Sequence, residues 1–273
     1  MKMIAVGTLK GGTGKTTVTF NLLGALAERG KVLAIDIDPQ CNLSNNIGID
    51  ISDVEDTASS LNIFENKNID PANLVVESPI WQLPNLDVIP SSIRLVATEL
   101  QISGRAGRER ILQNYIEDHA DFFNKYEYIV IDTNPSMGIV NQNAFLAADS
   151  IILVTDVDEN SRVGLKLFLD LWDAIRHDLR KGDNVKAIVL NKGALRNNLS
   201  DAMWNYLEGD EQLSKLFIKK MIRTKDVYKY AAIAKTPMNL YQDVCPRKDR
   251  GPAAEAAQEI EEVVGLLIEK GVL

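Results

Sequence analysis

Short apolar runs alternate with segments of helical periodicity along nearly the whole chain. Several of these runs are apolar at consecutive positions, which is typical of strands covered on both faces of a sheet. The runs that we predict to be strands are Met3–Val6, Val32–Ile37, Leu86–Ile89, Tyr128–Ile131, Ile151–Val157, Val185–Leu190 and Leu216–Ile222.

Helical periodicity fills the intervals between these strands. The clearest helix runs from Lys15 to Glu28 and is stopped by Gly30. Further helices are predicted at Glu109–Asn124, Val163–Arg180, Asp201–Leu213 and Ala253–Lys270. The alternation predicts an α/β fold, a mainly parallel twisted sheet with helices on both faces. The polar, Asn-rich segment Ile51–Pro84 is expected to be an insertion with small helices within a single domain of residues 1–273.

Composition is that of an ordinary soluble globular protein, with 273 residues, 45% of them hydrophobic and 25% charged. The net charge of −8 means that any contact with nucleic acid requires a local basic patch. Two distant cysteines, Cys41 and Cys245, argue against a disulfide framework, a zinc site or an iron–sulfur cluster. With no apolar signal-like segment at the N-terminus, we expect a cytoplasmic protein.

A glycine-rich loop, KGGTGKTT, lies between the first predicted strand and the first predicted helix. Its glycines let successive backbone N–H groups point into one anion-sized cavity, and the helix adds its positive N-terminal end. In such a loop Lys15 reaches the β- and γ-phosphates of a nucleotide, and the Thr16 hydroxyl binds Mg²⁺. The predicted nucleotide-binding residues of the loop are Lys10, Gly11, Gly12, Thr13, Gly14, Lys15, Thr16 and Thr17.

The loop departs from the G-x-x-x-x-G-K-[ST] pattern at Leu9, and Lys10 precedes the glycine pair. In this it resembles the deviant Walker A ATPases, the group that contains the ParA/Soj partition proteins and MinD. Their motif, K-G-G-x-G-K-[ST]-T, carries an additional signature lysine that matches Lys10, and the position of Leu9 varies within the partition branch. The resemblance implies a P-loop ATPase that binds ATP and Mg²⁺ and forms a nucleotide-sandwich homodimer. In that dimer Lys10 would reach the partner's phosphates and stabilise the charge of the transferring group.

Two acids follow the second predicted strand, at the sheet edge where ligands of open α/β sheets bind. Asp36 and Asp38 belong to DIDPQCN, which resembles the second motif of the same family, D-x-D-P-Q-x-N. The resemblance implies that Asp38 orients or activates the attacking water and that Asp36 lies near the metal. The alternative is that these acids only cap the next helix. With the two lysines of the glycine loop, the residues predicted to be catalytic are Lys10, Lys15 and Asp38.

The apolar strand YIVID ends in Asp132, which is the Walker B pattern. Asp132 would hold Mg²⁺ through water and sense the γ-phosphate, so the predicted metal set is Thr16, Asp132 and Asp36. The continuation TNPS resembles the family's switch segment, with Asn134 in place of a frequent proline. Asn191 ends the sixth predicted strand, where relatives use an asparagine to contact adenine.

A basic run extends from Lys215 to Lys235, with seven basic residues and Asp226 as its one acid. A local excess of this kind is what a surface that contacts DNA phosphates needs, although a solvated face is the alternative. The resemblance to the partition branch favours nonspecific double-stranded DNA as the partner. The residues predicted to contact it are Lys215, Lys219, Lys220, Arg223, Lys225 and Lys229.

The last predicted helix is amphipathic, but its polar side is rich in glutamate, which anionic lipids repel. This argues against membrane binding of the MinD kind. Because the loop begins at residue 10, we expect no N-terminal helix-turn-helix domain. The resulting hypothesis is a nucleoid-associated partition ATPase with slow intrinsic turnover, stimulated by a ParB-like adaptor. A MinD-like regulator, an ATPase positioning a protein cargo, and a metabolic enzyme of the dethiobiotin synthetase kind are the alternatives.

Overall fold

The computed structural model describes residues 1–52, 58–65 and 68–273, and its strands form one sheet. The strands are β1 Lys2–Gly7, β2 Val32–Asp36, β3 Val76–Glu77, β4 Leu86–Ile89, β5 Tyr128–Asp132, β6 Ser150–Thr155, β7 Val185–Gly193 and β8 Phe217–Arg223. Their order is β3-β4-β2-β5-β1-β6-β7-β8, and the pairs are parallel except that β3 is antiparallel to β4.

Helices cover both faces of this sheet, which confirms the predicted fold class. They are α1 Lys15–Ala27, α2 Asn42–Ile47, α3 Leu61–Glu65, α4 Leu95–Ile102, α5 Ile111–Asp118, α6 Ala120–Phe123, α7 Ile139–Ala147, α8 Glu159–Asp178, α9 Asn198–Gly209, α10 Glu211–Leu216, α11 Val227–Ile233, α12 Met238–Val244 and α13 Arg250–Glu269. One core joins the sheet to α3–α10, and a second joins it to α1, α2 and α13. Two apolar layers explain why the central strands are apolar at consecutive positions.

The central strands are in a register that brings the ends of β1, β2 and β5 together. Asp132 at the end of β5 pairs with Val6 on one side and with Asp36 on the other. The loops that follow these three strands therefore leave the sheet side by side. The chain thus gathers at one edge side chains that lie far apart in the sequence.

Two predicted helices are each divided in the structure. The helix predicted at Glu109–Asn124 is broken at His119, whose backbone is not helical (φ −117°, ψ 33°). The one predicted at Asp201–Leu213 is broken at Asp210, which is extended and accepts hydrogen bonds from the N–H groups of Gln212 and Leu213. A side chain that caps a new helix competes with continuation of the old one.

The segment predicted to be an insertion contributes to the core. Within its described part, Leu61, Phe64 and Leu74 are buried, and β3 forms an antiparallel edge strand that the sequence pattern did not predict. Residues 53–57 and 66–67 of this segment lie outside the described residues. Over the described ranges, no helix combines the length and apolar character needed to cross a bilayer.

Candidate active site

The glycine loop joins β1 to α1 in a conformation that two of its glycines make possible. Gly12 and Gly14 have φ values of 81° and 84°, in the left-handed region that favours glycine. A Cβ atom on Gly14 would also lie 2.3 Å from Nδ2 of Asn191. That amide instead donates to the carbonyl of Thr13 at 2.8 Å. Asn191, predicted as an adenine contact, is therefore packed directly against the loop.

Asp132 is fully buried at the end of β5 and contacts three residues of α1. Its carboxylate lies 2.8 Å from Nζ of Lys15 and accepts hydrogen bonds from the hydroxyls of Thr16 at 2.9 Å and Thr19 at 2.7 Å. The structure thus brings together the predicted metal residues Thr16 and Asp132, whose oxygens are of the hard type that Mg²⁺ prefers. Thr19 was not predicted, although its spacing of four residues from Lys15 places both on one helix face.

Asp36 is fully buried and is used by the fold around it. One carboxylate oxygen accepts from the N–H of Asp38 at 3.1 Å, and the other accepts from the N–H and hydroxyl of Ser44 at 2.9 and 2.7 Å. Burial, and secondly the neighbouring Asp132, raises the pKa of Asp36 to about 7. Asp36 thus anchors the loop after β2 to α2, and its predicted metal role stays a prediction.

Asp38 belongs to the same loop and is also buried. Its carboxylate accepts from the N–H of Gln40 at 2.9 Å, and Asp38 lines the cleft described below. Burial raises its pKa, while the Gln40 N–H and the charge of Lys15 oppose this shift. Asp38 is therefore positioned by its own backbone turn and lies close enough to Lys15 to be influenced by its charge, while its catalytic role stays a prediction.

The segment after β5 is held by an asparagine that sequence reasoning missed. Nδ2 of Asn141, on α7, donates to the carbonyl of Asn134 and to the carbonyl of Ser136, both at 2.8 Å. The Thr133 hydroxyl donates to the carbonyl of Val6 at 2.8 Å. The predicted switch segment is thus fixed at both ends without the proline that Asn134 replaces.

Lys10 lies at the rim of the site and is directed toward the start of α8. Its ammonium is 3.1 Å from a carboxylate oxygen of Asp156 and 3.1 Å from one of Asp158, and it donates to the Ser161 hydroxyl at 3.0 Å. Burial opposes protonation of Lys10, but the hydrogen bonds to the two carboxylates outweigh it and raise its pKa. Lys10 is consequently a charged group that is fully engaged within its own subunit.

A cleft of about 550 Å³ runs along the glycine loop, with the loop after β2 on one side and the loop after β8 on the other. The buried hydroxyl of Thr13, which lines this cleft, has no hydrogen-bond partner in the part of the chain that the structure describes. An unpaired donor, the loop N–H groups and the start of α1 suit an anionic ligand. Predicted residues that line the cleft are Lys10, Gly11, Gly12, Thr13, Gly14, Lys15, Thr16, Thr17, Asp38, Asn191, Arg223, Lys225 and Lys229.

The basic run does not carry the uncompensated charge that its sequence suggested. Each predicted DNA contact forms an ion pair within the chain: Lys215 with Glu211, Lys219 with Glu208, Lys220 with Glu262, Arg223 with Glu255 and Glu259, Lys225 with Glu255 and Glu259, and Lys229 with Asp226. Most of these acids lie on α9, α10 and α13, outside the run itself. They offset the positive charge of the run, so the local charge excess predicted from the sequence of the run alone was too large. A role in binding DNA stays a prediction.

Glu259 of α13 is the most buried of these acids, with a side chain that is 4% exposed. It accepts from the backbone N–H of Arg223 at 3.0 Å and lies 3.1 Å from Nζ of Lys225. Because both basic residues line the cleft, α13 supports the rim of the cleft without lining it.

Comparisons with known proteins agree with this geometry. Residues 1–185 match a family model described as an AAA domain. An uncharacterized protein of Mycobacterium tuberculosis is 33% identical over 192 residues, which cover 70% of this chain and 58% of that relative. The sporulation initiation inhibitor protein Soj of Bacillus subtilis is 31% identical over 224 residues, 82% of this chain and 83% of Soj. The chromosome partitioning protein ParA of Caulobacter vibrioides is 32% identical over 203 residues, 74% of this chain and 73% of ParA.

Solved structures share the fold over almost the whole chain. McdA from Cyanothece has a TM-score of 0.82 at 19% identity, covering 98% of this chain and 99% of McdA. A plasmid partition protein from Borrelia burgdorferi bound to AMPPNP has a TM-score of 0.74 at 22% identity, with the same coverage. At these identities the likeness concerns the fold. Together with the match over residues 1–185 and the identities to Soj and ParA, it means that this chain belongs to the ParA/Soj family of P-loop ATPases, within the ParA/MinD superfamily.

Proposed function

We propose that this protein is a partition ATPase whose ATP-bound homodimer binds double-stranded DNA without sequence preference. A ParB-like adaptor bound to the cargo then stimulates hydrolysis, and the dimer leaves the DNA. The observation that carries this proposal is the convergence on one cleft of the glycine loop, the Asp132 cluster and Asp38, with Lys10 as an additional lysine at the rim. An ordinary P-loop enzyme needs only one lysine in this loop, the equivalent of Lys15.

In this proposal five side chains of the site have separate tasks. Lys15 neutralises the β- and γ-phosphates once it exchanges Asp132 for them, and Asn191 contacts the base from behind the loop. Asp38 orients the attacking water. Thr16 would hold Mg²⁺ directly and Asp132 would hold it through water, and the ion would supply charge stabilisation for the transferring phosphoryl group. A solitary carboxylate that only orients water accounts for slow intrinsic turnover, because the site is completed only when partners assemble on it.

The ion pairs and the cleft divide five of the six predicted DNA contacts into two groups. Lys215 and Lys219 lie outside the cleft and have side chains that are 71% and 64% exposed, so their ion pairs contribute little and are readily exchanged for phosphates. Arg223 and Lys225 are held by Glu259 and belong to the rim of the cleft. We therefore infer that Lys215 and Lys219 contact DNA and that Arg223, Lys225 and Lys229, which line the cleft, act on the nucleotide side.

The test is binding to a nonspecific duplex at moderate salt with ATP, ADP or no nucleotide. We expect binding with ATP alone. Replacing Lys215 and Lys219 together by alanine weakens it for every sequence and lowers the slope of log K against log salt by about 0.9 per lost contact. Lys186→Ala, an exposed lysine of β7, is the matched control and leaves the slope unchanged. Absence of binding in every nucleotide state would refute the DNA proposal.

A MinD-like membrane role is the competing candidate, and the packing of α13 weighs against it. Its apolar residues Ile260, Val263, Val264 and Leu267 are buried in the core on the α1 face of the sheet. Three of its glutamates, Glu255, Glu259 and Glu262, pair with basic residues of β8 and the following loop. A helix engaged on both sides has no apolar face to offer a bilayer. ATP-dependent sedimentation with anionic vesicles is the measurement that would favour this candidate instead.

A further inference from the structure

The surroundings of Lys10 form a compact binding site within its own subunit. Three acceptors surround its ammonium: carboxylate oxygens of Asp156 and Asp158, each at 3.1 Å, and the hydroxyl of Ser161 at 3.0 Å. A lysine ammonium has three N–H donors, so this arrangement uses them all. The Lys10 side chain is only 28% exposed, although it belongs to a surface loop.

The acceptors are fixed by their own backbone rather than by Lys10. Asp158 is the N-cap of α8 and accepts from the N–H of Asn160 at 2.9 Å. Asp156, whose side chain is 13% exposed, accepts from the N–H of Asp158 at 3.2 Å and from the Ser161 hydroxyl. The site is therefore already formed when Lys10 arrives, and Lys10 gains its contacts without ordering the acceptors.

We propose that Asp156 and Asp158 are positioning residues that hold Lys10 in its own subunit and release it only when two ATP-bound subunits meet. This clasp, made by Asp156, Asp158 and Ser161, rests on the proposed function, in which Lys10 acts on the partner's phosphates. An ammonium whose three donors are engaged in cis has none for a phosphate in trans. The clasp therefore opposes dimerisation and keeps Lys10 away from the nucleotide of a lone subunit.

The exposure of the Asp158 carboxylate indicates how strongly the clasp weakens dimerisation. Asp158 has a side chain that is 52% exposed, so its pair with Lys10 is of the partly screened kind. Removing it eases release by about two- to fivefold per subunit, the range of exposed ion pairs. Because a dimer opens two clasps, its dissociation constant falls by the square of that factor, about 4- to 25-fold.

The test compares Asp158→Asn with Glu159→Gln. Asparagine keeps the oxygen that caps α8 and loses the charge that pairs with Lys10. Glu159 is the adjacent exposed acid on the same first turn and forms no ion pair in the part of the chain that the structure describes, so its variant is a matched control. Dimerisation with AMPPNP is measured by analytical ultracentrifugation. Acylation of Lys10 by an N-hydroxysuccinimide ester, without nucleotide, is followed by mass spectrometry.

We expect Asp158→Asn to dimerise at lower concentration and to expose Lys10 to acylation, while Glu159→Gln matches the wild type in both. Dimerisation that is unchanged or weakened in Asp158→Asn, with Lys10 equally reactive in all three proteins, would overturn the clasp and leave the proposed function standing. A wild-type protein that does not dimerise with AMPPNP would instead overturn the proposed function, and the clasp with it.

Discussion

Three glycines of one loop allow the cost of backbone conformation to be separated from the cost of a steric clash. Gly11 has no left-handed φ, and no described atom lies within 4 Å of the position that a Cβ would occupy there. Gly12 has a φ of 81°, with the space around its Cβ position equally open among the described residues. Gly14 combines a φ of 84° with Nδ2 of Asn191 only 2.3 Å from the Cβ position. Alanine is therefore unstrained at Gly11, has backbone strain at Gly12, and has backbone strain together with a steric clash at Gly14.

All three alanine variants lower the entropy of the unfolded chain to the same extent, so Gly11→Ala serves as the reference. Relative to it, Gly12→Ala loses about 1–2 kcal/mol because an L-residue is strained in the left-handed region. Gly14→Ala loses that amount and displaces the Asn191 amide from the carbonyl of Thr13. A buried amide left unpaired costs about a further 1–3 kcal/mol, so the expected total is roughly 2–5 kcal/mol.

The free energy of unfolding in urea, measured without nucleotide, tests this order. The expected ranking of stability is Gly11→Ala, then Gly12→Ala, then Gly14→Ala. The double variant Gly14→Ala with Asn191→Ala provides a further check, since it removes the clash and should recover part of the second step. Equal stability of the Gly11 and Gly14 variants would refute the reasoning about both the backbone and the contact.

Four further predictions concern single side chains. Lys15→Ala abolishes ATP binding in a fluorescent-nucleotide titration, and full affinity would refute the phosphate-loop assignment. Asp38→Ala lowers ATP turnover by about 10²-fold or more and traps an ATP-bound dimer, whereas wild-type turnover would exclude its catalytic role. Glu259→Gln lowers the free energy of unfolding by about 1–3 kcal/mol, because Arg223 and Lys225 lose their buried charged partner. Replacement of the exposed Glu255 by glutamine should lower it less, and the reverse order would contradict the argument from burial. Burial raises the pKa of Cys41 to about 11, so less of its thiol is ionised at pH 8 in the folded protein than in urea. We expect its alkylation, followed by mass spectrometry, to be about 10²-fold slower in the folded protein, and equal rates would show an accessible thiolate.

Structural features formed by residues close together in the sequence were predicted well. The glycine loop, the strand before it and the helix after it are local, and so are the acids that end β2 and β5. Parallel pairing then places those acids at one edge of the sheet, which the strand order confirms. The division of a helix at Asp210 was missed because capping and continuation compete closely, and the sequence pattern alone does not decide between them.

The contacts that could not be predicted join residues remote in the sequence. Ser44 and Asn141 are ordinary polar residues in the sequence, and only packing reveals that they hold Asp36 and the segment after β5. In the basic run, contacts with residues remote in the sequence made the prediction too strong rather than causing a missed contact. Its charge excess is a property of neighbours along the chain, whereas Glu259, which offsets it, lies 34 residues away from Lys225.

The three bonds from α1 to Asp132 have a mechanical consequence. Lys15, Thr16 and Thr19 all bind one carboxylate, and Thr133, the residue after β5, begins the segment that Asn141 holds. In the proposed function, a phosphate that draws Lys15 away from Asp132 removes one of these three contacts directly beside that segment. Asp132 and Thr133 share a peptide bond, so under that proposal the loss of the Lys15 contact reaches the segment without a relay through the core.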